Sequence, residues 1–226
     1  MVVEAPLSLD DELAVLARFD RVLLIQQDDY ALVAQRLGPR AMLVPHPVNF
    51  AAVPVQPRRR AIGLVASAWR ANLDGLDWFA AEVWPLMADS GAQMHLFGWI
   101  GDHWQPGFTG FERHGFVADF RQSWGALDVA INPVRWGSGL KIKSVEAIGH
   151  GLPLVTTSEG ARGMLDGAGD AFIVADAAPE FARACTVLLE DPARRAALGA
   201  RAHAYSARHF SAQACFGELV HWLNSQ

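Results

Sequence analysis

The sequence predicts an α/β protein built on a Rossmann-like, doubly wound parallel sheet, followed by carboxyl-terminal helices. Six short apolar runs, near residues 61, 93, 115, 128, 153 and 171, alternate with helical patterns, and this alternation favours parallel strands with crossover helices. A glycine loop, Gly137-Ser138-Gly139, separates one run from the next helix. With 226 residues, 51% of them hydrophobic and 19% charged, the chain is long and apolar enough to bury a core.

Composition narrows the possible functions. The net charge of −5 argues against a nucleic-acid surface, which needs an excess of basic residues. No apolar run approaches the length of a membrane span, and the amino terminus lacks signal-peptide order, so we expect a cytoplasmic chain. Cys185 and Cys215 lie in helical patterns without a CxxC motif, which favours buried thiols. None of the eight histidines has metal-ligand spacing along the sequence, so no metal site is predicted.

The first part of the chain, residues 1–50, reads as a short helix-strand-helix-strand unit. Ser8, with Asp11 three residues later, resembles a capping box that opens the first helix. The predicted elements are a helix at 9–18, a strand at 21–26, a helix at 28–37 and a strand at 41–44. Two strands are too few to build a sheet with both faces covered, so this unit is not expected to be a complete domain.

Residues 51–60 predict a linker, because Pro54, Pro57 and three consecutive arginines make the chain stiff and charged there. The second unit then begins with a strand at 61–67. Its further predicted elements are a helix at 73–87, a strand at 93–98, a long loop at 99–110, a strand at 115–117 and a helix after Asp119. Three helices at 179–190, 192–208 and 212–223, the last capped by Ser211, complete the chain.

The stretch from Asp128 to Met164 reads as strand, glycine loop, helix, strand and loop, and it is the predicted ligand site. Gly137 and Gly139 bracket Ser138, where a backbone free to adopt positive φ can approach a ligand closely. The next helix has a core stripe of Leu140, Ser144, Ala147 and Ile148. Ligands bind at the carboxyl edge of parallel strands, and a helix amino terminus there favours phosphate.

The residues from Pro133 to Thr157 follow the pattern P-x-R-x-G-S-G-x-K-x-K-x-x-E-A-x-x-x-G-x-P-x-V-T-T. This pattern resembles the carboxyl-terminal, donor-binding domain of GT-B glycosyltransferases, especially the family 4-like (group 1) retaining enzymes, and a looser likeness covers residues 60–226. The likeness is specific because a lysine and a glutamate stand at set offsets from the glycine loop, before the G-x-P-x-V turn.

The resemblance implies a division of the chain. Residues 1–50 look like a remnant of an amino-terminal acceptor domain, 51–60 like the linker, 61–210 like the nucleotide-sugar-binding domain, and 211–226 like the helix that crosses back in this fold. Most of the acceptor domain is therefore expected to be missing from this chain, together with any peripheral membrane contact that it makes, and a chain of this kind is expected to be inactive alone.

The resemblance also implies roles for individual residues. Glu146 matches the acid that accepts hydrogen bonds from the ribose hydroxyls, and Phe116 and Val117 match the segment that flanks the base. Two positions depart from the common pattern, because Ser67 and Asn72 stand where relatives often carry an arginine and a lysine for the diphosphate. The candidates for holding diphosphate or sugar, with Lys143 first, are Lys143, Lys141, Arg70, Ser138, Gly137, Gly139 and Leu140. Relatives often carry two acids in an E-x7-E pattern; Glu146 matches the second, and Ser138 stands where the first would be.

The implied activity is the transfer of a sugar, with retention, from a nucleotide diphospho-sugar to a glycan, lipid or other acceptor, as in polysaccharide biosynthesis. No metal cofactor is implied, because the helix dipole and basic side chains neutralise the leaving diphosphate. A nucleotide-sugar epimerase of the same fold and a non-catalytic nucleotide-sugar-binding module remain alternatives. A nicotinamide dehydrogenase is disfavoured, since GLVASAWRANLDG after residue 62 contains no G-x-G-x-x-G.

Overall fold

The computed structural model describes residues 8–48, 52, 59–104 and 107–225. Its main feature is a parallel sheet of six strands: β3 (Ala61–Val65), β4 (Gln93–Phe97), β5 (Phe111–Gly115), β6 (Val129–Asn132), β7 (Leu154–Thr156) and β8 (Ile173–Val174). Their order is β5-β4-β3-β6-β7-β8. The predicted parallel sheet is confirmed. The order reverses between β3 and β6, and the carboxyl ends of these two strands form the crevice where ligands bind in such sheets.

Helices cover both faces of this sheet. They are α3 (Arg70–Trp78), α4 (Trp99–His103), α5 (Phe120–Gly125), α6 (Ile142–Gly149), α7 (Ala178–Glu190), α8 (Pro192–His209) and α9 (Ala212–Asn224). Ile62 and Leu64 point into one core with α3 and α7, and Ala61 and Val65 point into a second core with α6 and α8. Burial on both faces explains why the central strands β3, β6 and β7 read as apolar runs, whereas the edge strand β5 is polar and mostly exposed.

Three predictions about this region are wrong in detail. The strand predicted at 115–117 lies instead at Phe111–Gly115, because an exposed edge strand of polar residues has no apolar run to mark it. The helix predicted at 73–87 is regular only as α3, and it continues as a π turn, Phe79–Val83, and a 3-10 segment, Trp84–Ser90. Pro85 lies in that segment and cannot donate a backbone hydrogen bond to a regular helix. The loop predicted at 99–110 begins instead with the short helix α4, because Gly98 at φ +86° turns the chain directly out of β4.

The three carboxyl-terminal helices match their predicted ranges within two residues, and the Ser211 hydroxyl accepts a hydrogen bond from the Ala214 amide. Cys185 and Cys215 are both free and buried, as predicted. Within the described residues, no helix combines the length and the hydropathy needed to cross a bilayer.

A buried ion pair joins the amino-terminal edge of the sheet to α8. The guanidinium of Arg195 lies 3.6 Å from the carboxylate of Asp128, and both side chains are at least 96% buried. Arg195 also donates to the carbonyls of Leu188 and Leu189, while Asp128 accepts hydrogen bonds from the Ala61 and Arg59 amides. The pair therefore ties β3 and β6 to the end of α7 and the start of α8.

The amino-terminal unit contains α1 (Leu9–Leu16), β1 (Val22–Leu24), α2 (Gln27–Leu37) and β2 (Ala41–Leu43). The two strands form a separate parallel sheet. Its small core contains Leu13, Val22, Val33 and Ala41, whereas Leu23, Ile25 and Leu32 are exposed. Most of the predicted linker, residues 51–60, lies outside the described residues, and the proposed domain boundaries stay predictions.

Candidate functional site

A pocket of about 580 Å³ opens at the crevice between β3 and β6. The loops after β3, β4, β5 and β6, the start of α3 and the first two turns of α6 supply its walls. The lining residues are Val65, Ala66, Ser67, Trp69, Asn72, Gly98, Trp99, Phe116, Val134, Ser138, Leu140, Lys141, Ile142, Lys143 and Glu146. Six of the ten predicted site residues line this pocket, namely Phe116, Ser138, Leu140, Lys141, Lys143 and Glu146.

The glycine loop before α6 forms one wall. Gly137 and Gly139 adopt φ values of +139° and +68°, which residues with a side chain rarely adopt. A Cβ atom at Gly137 would lie 3.4 Å from the Trp69 ring and 3.7 Å from Lys141 Nζ. The loop is therefore packed closely against its neighbours, and it presents Ser138 to the pocket.

Glu146 lies on the second turn of α6, half-buried and facing the pocket. No side chain in the described part of the chain forms an ion pair or hydrogen bond with its carboxylate, and burial raises the pKa of this carboxyl. The surface pair with Lys143, which the i, i+3 spacing allows, is not formed. A half-buried carboxylate without a protein donor can accept hydrogen bonds from ligand hydroxyls.

Lys143 lies one turn earlier on the same helix and donates a hydrogen bond of 2.6 Å to Asn72 Oδ1. Asn72 is held in turn by its amide, which donates to the Ser67 carbonyl. Burial, and secondarily the charge of Lys141, lowers the pKa of Lys143 to about 8. Among the described residues no carboxylate pairs with this ammonium. The pocket thus contains a cation that no protein anion neutralises.

Lys141 has a different environment. Its ammonium donates to Glu159 Oε1 at 2.7 Å and to the carbonyls of Ser138 and Gly139, so it ties the glycine loop to the loop after β7. Glu159 also lies 3.9 Å from Arg162, which pairs with Asp28 of α2 at 3.3 Å. A line of charged contacts therefore connects the amino-terminal unit to the glycine loop.

The remaining predicted residues are placed as follows. Arg70 is largely exposed on α3, pairs with Asp74 at 2.6 Å and is not a lining residue, so this placement does not support its predicted contact with a diphosphate. Phe116 is 65% exposed at the pocket edge, whereas Val117 packs against the second core. The roles predicted for nucleotide, base and sugar contacts stay predictions.

Sequence reasoning missed two contacts made by residues that line this pocket. The contact between Lys143 and Asn72 joins residues 71 positions apart, and no local pattern signals it. Trp69 and Trp136 form a tilted aromatic pair with ring centroids 5.4 Å apart, and both rings are about half exposed. Both lysines of the chain, Lys141 and Lys143, lie at this site, and that concentration of a residue type is readable from the sequence.

Comparisons with known structures show the fold. The fold matches HepE from Anabaena, solved in complex with UDP and glucose, with 15% identity and a TM-score of 0.70 over 95% of this chain and 66% of that one. It matches a Staphylococcus aureus TarM mutant, solved with UDP, fondaparinux and α-GlcNAc-glycerol, with 14% identity and a TM-score of 0.74 over 95% and 46%. It also matches sucrose-phosphate synthase from Thermosynechococcus elongatus, with 18% identity and a TM-score of 0.69 over 96% and 61%.

The chain therefore has the fold of a GT-B glycosyltransferase, and it spans between about half and two thirds of the length of these three structures. A comparison with curated protein sequences gave no match. The family profile described as "Glycosyl transferases group 1" matches residues 59–191, which include every strand of the six-stranded sheet and the whole lining of the pocket. The chain belongs to the group 1 glycosyl transferases.

Proposed function

We propose that this chain binds a nucleotide diphospho-sugar in the pocket at the β3–β6 crevice and supplies the donor half of a retaining glycosyltransferase that acts on a glycan or lipid acceptor. The observation that carries the proposal is the pair of charges there that lack charged protein partners: the carboxylate of Glu146 and the ammonium of Lys143, one turn apart on α6. The two structures solved with UDP, although below 25% in identity, are consistent with this type of ligand.

The expected arrangement follows from the charges. The Glu146 carboxylate would accept hydrogen bonds from both ribose hydroxyls, because it has two oxygens and no protein donor. Lys143 would face the diphosphate, and the first amides of α6 add partial positive charge beside it. As the bond between sugar and phosphate breaks, negative charge grows on the leaving diphosphate, and a fixed cation beside it stabilises that charge. We therefore propose that binding needs no divalent metal.

Calorimetry with UDP, GDP, ADP and TDP in the presence of a chelator tests the proposal. We expect saturable binding of at least one of the four, and the nucleotide that binds identifies the base. The Phe116 ring at the pocket edge is the group that the base would contact. If none of the four binds to the folded chain, the proposed donor site is wrong.

Glu146→Gln tests the ribose contact. Glutamine keeps the length of the side chain but loses the charge, so we expect the affinity for nucleoside diphosphate to fall by about 1 kcal/mol, the usual difference between charged and neutral hydrogen bonds. A 2′-deoxynucleotide should show a smaller difference between variant and wild type, because one ribose hydroxyl is missing. Glu218→Gln, at an exposed position of α9, is the control and should bind as the wild type does. Equal affinity in both variants would contradict the ribose role.

The low pKa of Lys143 predicts how binding depends on pH. With a pKa of about 8, the ammonium is charged below pH 8 and loses its proton above it. Affinity for the diphosphate should therefore be high near pH 7 and fall by up to about tenfold per pH unit above 8. In Lys143→Arg the side chain stays charged over this range, so the fall should disappear.

Because the chain contains only two lysines, reductive methylation with ¹³C-formaldehyde gives two side-chain NMR signals, from which the titration of Lys143 is read directly. Lys143→Met identifies its signal. An ordinary lysine pKa near 10.4, or a pH profile that is the same in Lys143→Arg, would exclude this explanation of the anion site.

Transfer is favoured over the two alternatives by the family to which the chain belongs. Incubation with the donor alone separates them, since an epimerase would convert the sugar without any acceptor. We further propose that residues outside this chain supply the acceptor wall, because the chain spans 46% to 66% of the three structures it resembles.

A further inference from the structure

Three potential metal ligands meet on the outer edge of the six-stranded sheet, away from the pocket. They are His95 of β4 and Glu112 and His114 of the edge strand β5. His95 stands directly opposite Glu112 in the parallel ladder. Residues two apart on a strand share a face, so Glu112 and His114 both point toward His95. None of the three lines the pocket described above.

An irregularity in the β4–β5 ladder determines where the His114 side chain lies. Leu96 pairs with Arg113, but the next residue, Phe97, pairs with Gly115, so His114 is an additional residue in β5. Such bulges redirect side chains. The His114 ring stacks on the Phe97 ring, with centroids 4.3 Å apart and planes 8° apart, and the His95 ring is parallel to both. Packing therefore holds the two imidazoles in place before any ion binds.

The distances between the ligand atoms match the size of a zinc coordination shell. His95 Nδ1 and His114 Nε2 are 3.0 Å apart, and they lie 3.5 Å and 3.8 Å from Glu112 Oε2. A point at equal distance from all three atoms lies about 2.0 Å from each, and zinc bonds to histidine nitrogen and carboxylate oxygen are about 2.0 to 2.2 Å long. The two ring nitrogens face each other in this structure, so ion binding would require both rings to rotate until their lone pairs point to that position.

The chemistry of the three atoms also favours a cation. Each imidazole nitrogen presents a lone pair when the ring proton is on the other nitrogen, and the third atom belongs to a carboxylate, so all three can donate a lone pair to one ion. We propose that His95, Glu112 and His114 bind a divalent transition-metal ion, for which Zn²⁺ is the best fit because two imidazoles and a carboxylate are a common zinc ligand set. The ion would tie the edge strand β5 to β4, immediately before the segment that carries Phe116.

The site should bind more weakly than a closed four-ligand zinc site. It has three protein ligands, and His95 Nε2 is buried without a hydrogen-bond partner in the described part of the chain. Ligating histidines usually donate their second N–H to an acceptor, and that bond strengthens metal binding. Two histidines on different strands, 19 positions apart, have no ligand spacing in the sequence, which explains why the sequence analysis predicted no metal site.

Titration of the chelator-treated chain with Zn²⁺ and with Co²⁺, in the absence of nucleotide, tests the proposal. We expect one ion per chain by calorimetry and visible Co²⁺ absorption of the strength typical of sites with fewer than six ligands. Thermal unfolding should shift upward with Zn²⁺, because an ion that binds only the native state stabilises it. Glu112→Gln and His114→Gln should each weaken binding by at least about tenfold. Both side chains are partly exposed, so both variants are expected to fold.

His103→Gln and His221→Gln are the matched controls, because both histidines are exposed and lie outside the cluster. They should bind Zn²⁺ as the wild type does. Failure of the wild-type chain to bind either ion, or equal binding by the wild type and both cluster variants, would overturn the assignment. The nucleotide titration in chelator is a separate measurement, so failure of one proposal does not imply failure of the other.

Discussion

The 226-residue chain is expected to bind a nucleoside diphosphate and yet to transfer no sugar by itself. Transfer requires an acceptor held against the donor, and orientation of two reactants supplies up to roughly 7 to 11 kcal/mol of a reaction barrier. Outside the six-stranded sheet and the helices that cover it, the described residues offer only a two-stranded sheet of three-residue strands with two helices, and Ile25 approaches the glycine loop beside Gly139. Such a unit is too small to form a second wall with both faces covered.

The measurement incubates this chain with nucleotide-sugars and with glycan or lipid acceptors, and detects products by mass spectrometry. Nucleotide binding by the same sample shows that the pocket is folded. The chain should bind nucleotide and form no product. Turnover by this chain alone would contradict the expectation that the acceptor site lies elsewhere.

Arg195→Met should destabilise the folded chain by about 3 to 5 kcal/mol, the range found when one partner of a buried ion pair is removed. The reason is that Asp128 remains buried and charged while the carbonyls of Leu188 and Leu189 lose their donor. A second change, Asp128→Asn, should recover part of this loss, because asparagine removes the charge but can still accept from the backbone amides of Arg59 and Ala61.

Urea unfolding of the two single variants and the double variant measures this coupling as a double-mutant cycle. Arg194→Met is the matched control, since Arg194 is exposed and lies next to Arg195 on α8. Its free energy of unfolding should stay within about 0.5 kcal/mol of the wild-type value. If Arg195→Met unfolds at the same urea concentration as Arg194→Met, the buried pair does not stabilise the fold as described.

The sequence predicted strand positions best where burial alone determined which residues are apolar. Strands buried on both faces are continuous apolar runs, so β3, β6 and β7 could be located from the sequence, whereas the exposed and polar edge strand β5 overlaps its predicted range only at Gly115. The ranges failed where a single residue changed the local geometry, at Pro85 after α3 and at Gly98 before α4. Neither change alters the apolar pattern, and the helix predicted at 73–87 was therefore too long and regular.

Site residues were predictable where the motif and the fold place them together. Lys143 and Glu146 share one helix, and the structure brings both to the same pocket. Arg70 was chosen for its charge and its nearness along the chain, but the direction of its side chain is set by Asp74, one turn away on α3. The contact of Lys143 with Asn72 depends on the crossing of distant segments, which spacing cannot predict.

The line of charged contacts from Asp28 through Arg162 and Glu159 to Lys141 has a mechanical consequence. At one end, Asp28 belongs to the amino-terminal unit. At the other end, Lys141 donates hydrogen bonds to carbonyls of the glycine loop. A movement of α2 that breaks the Asp28–Arg162 contact removes one support of the glycine loop. Because coupling is reciprocal, a ligand that changes the conformation of the loop also changes the preferred position of α2. Because an exposed ion pair contributes only about 0 to 1 kcal/mol, this linkage changes donor affinity by no more than about fivefold. The same contacts would thus couple the position of α2 weakly to ligand binding in the pocket.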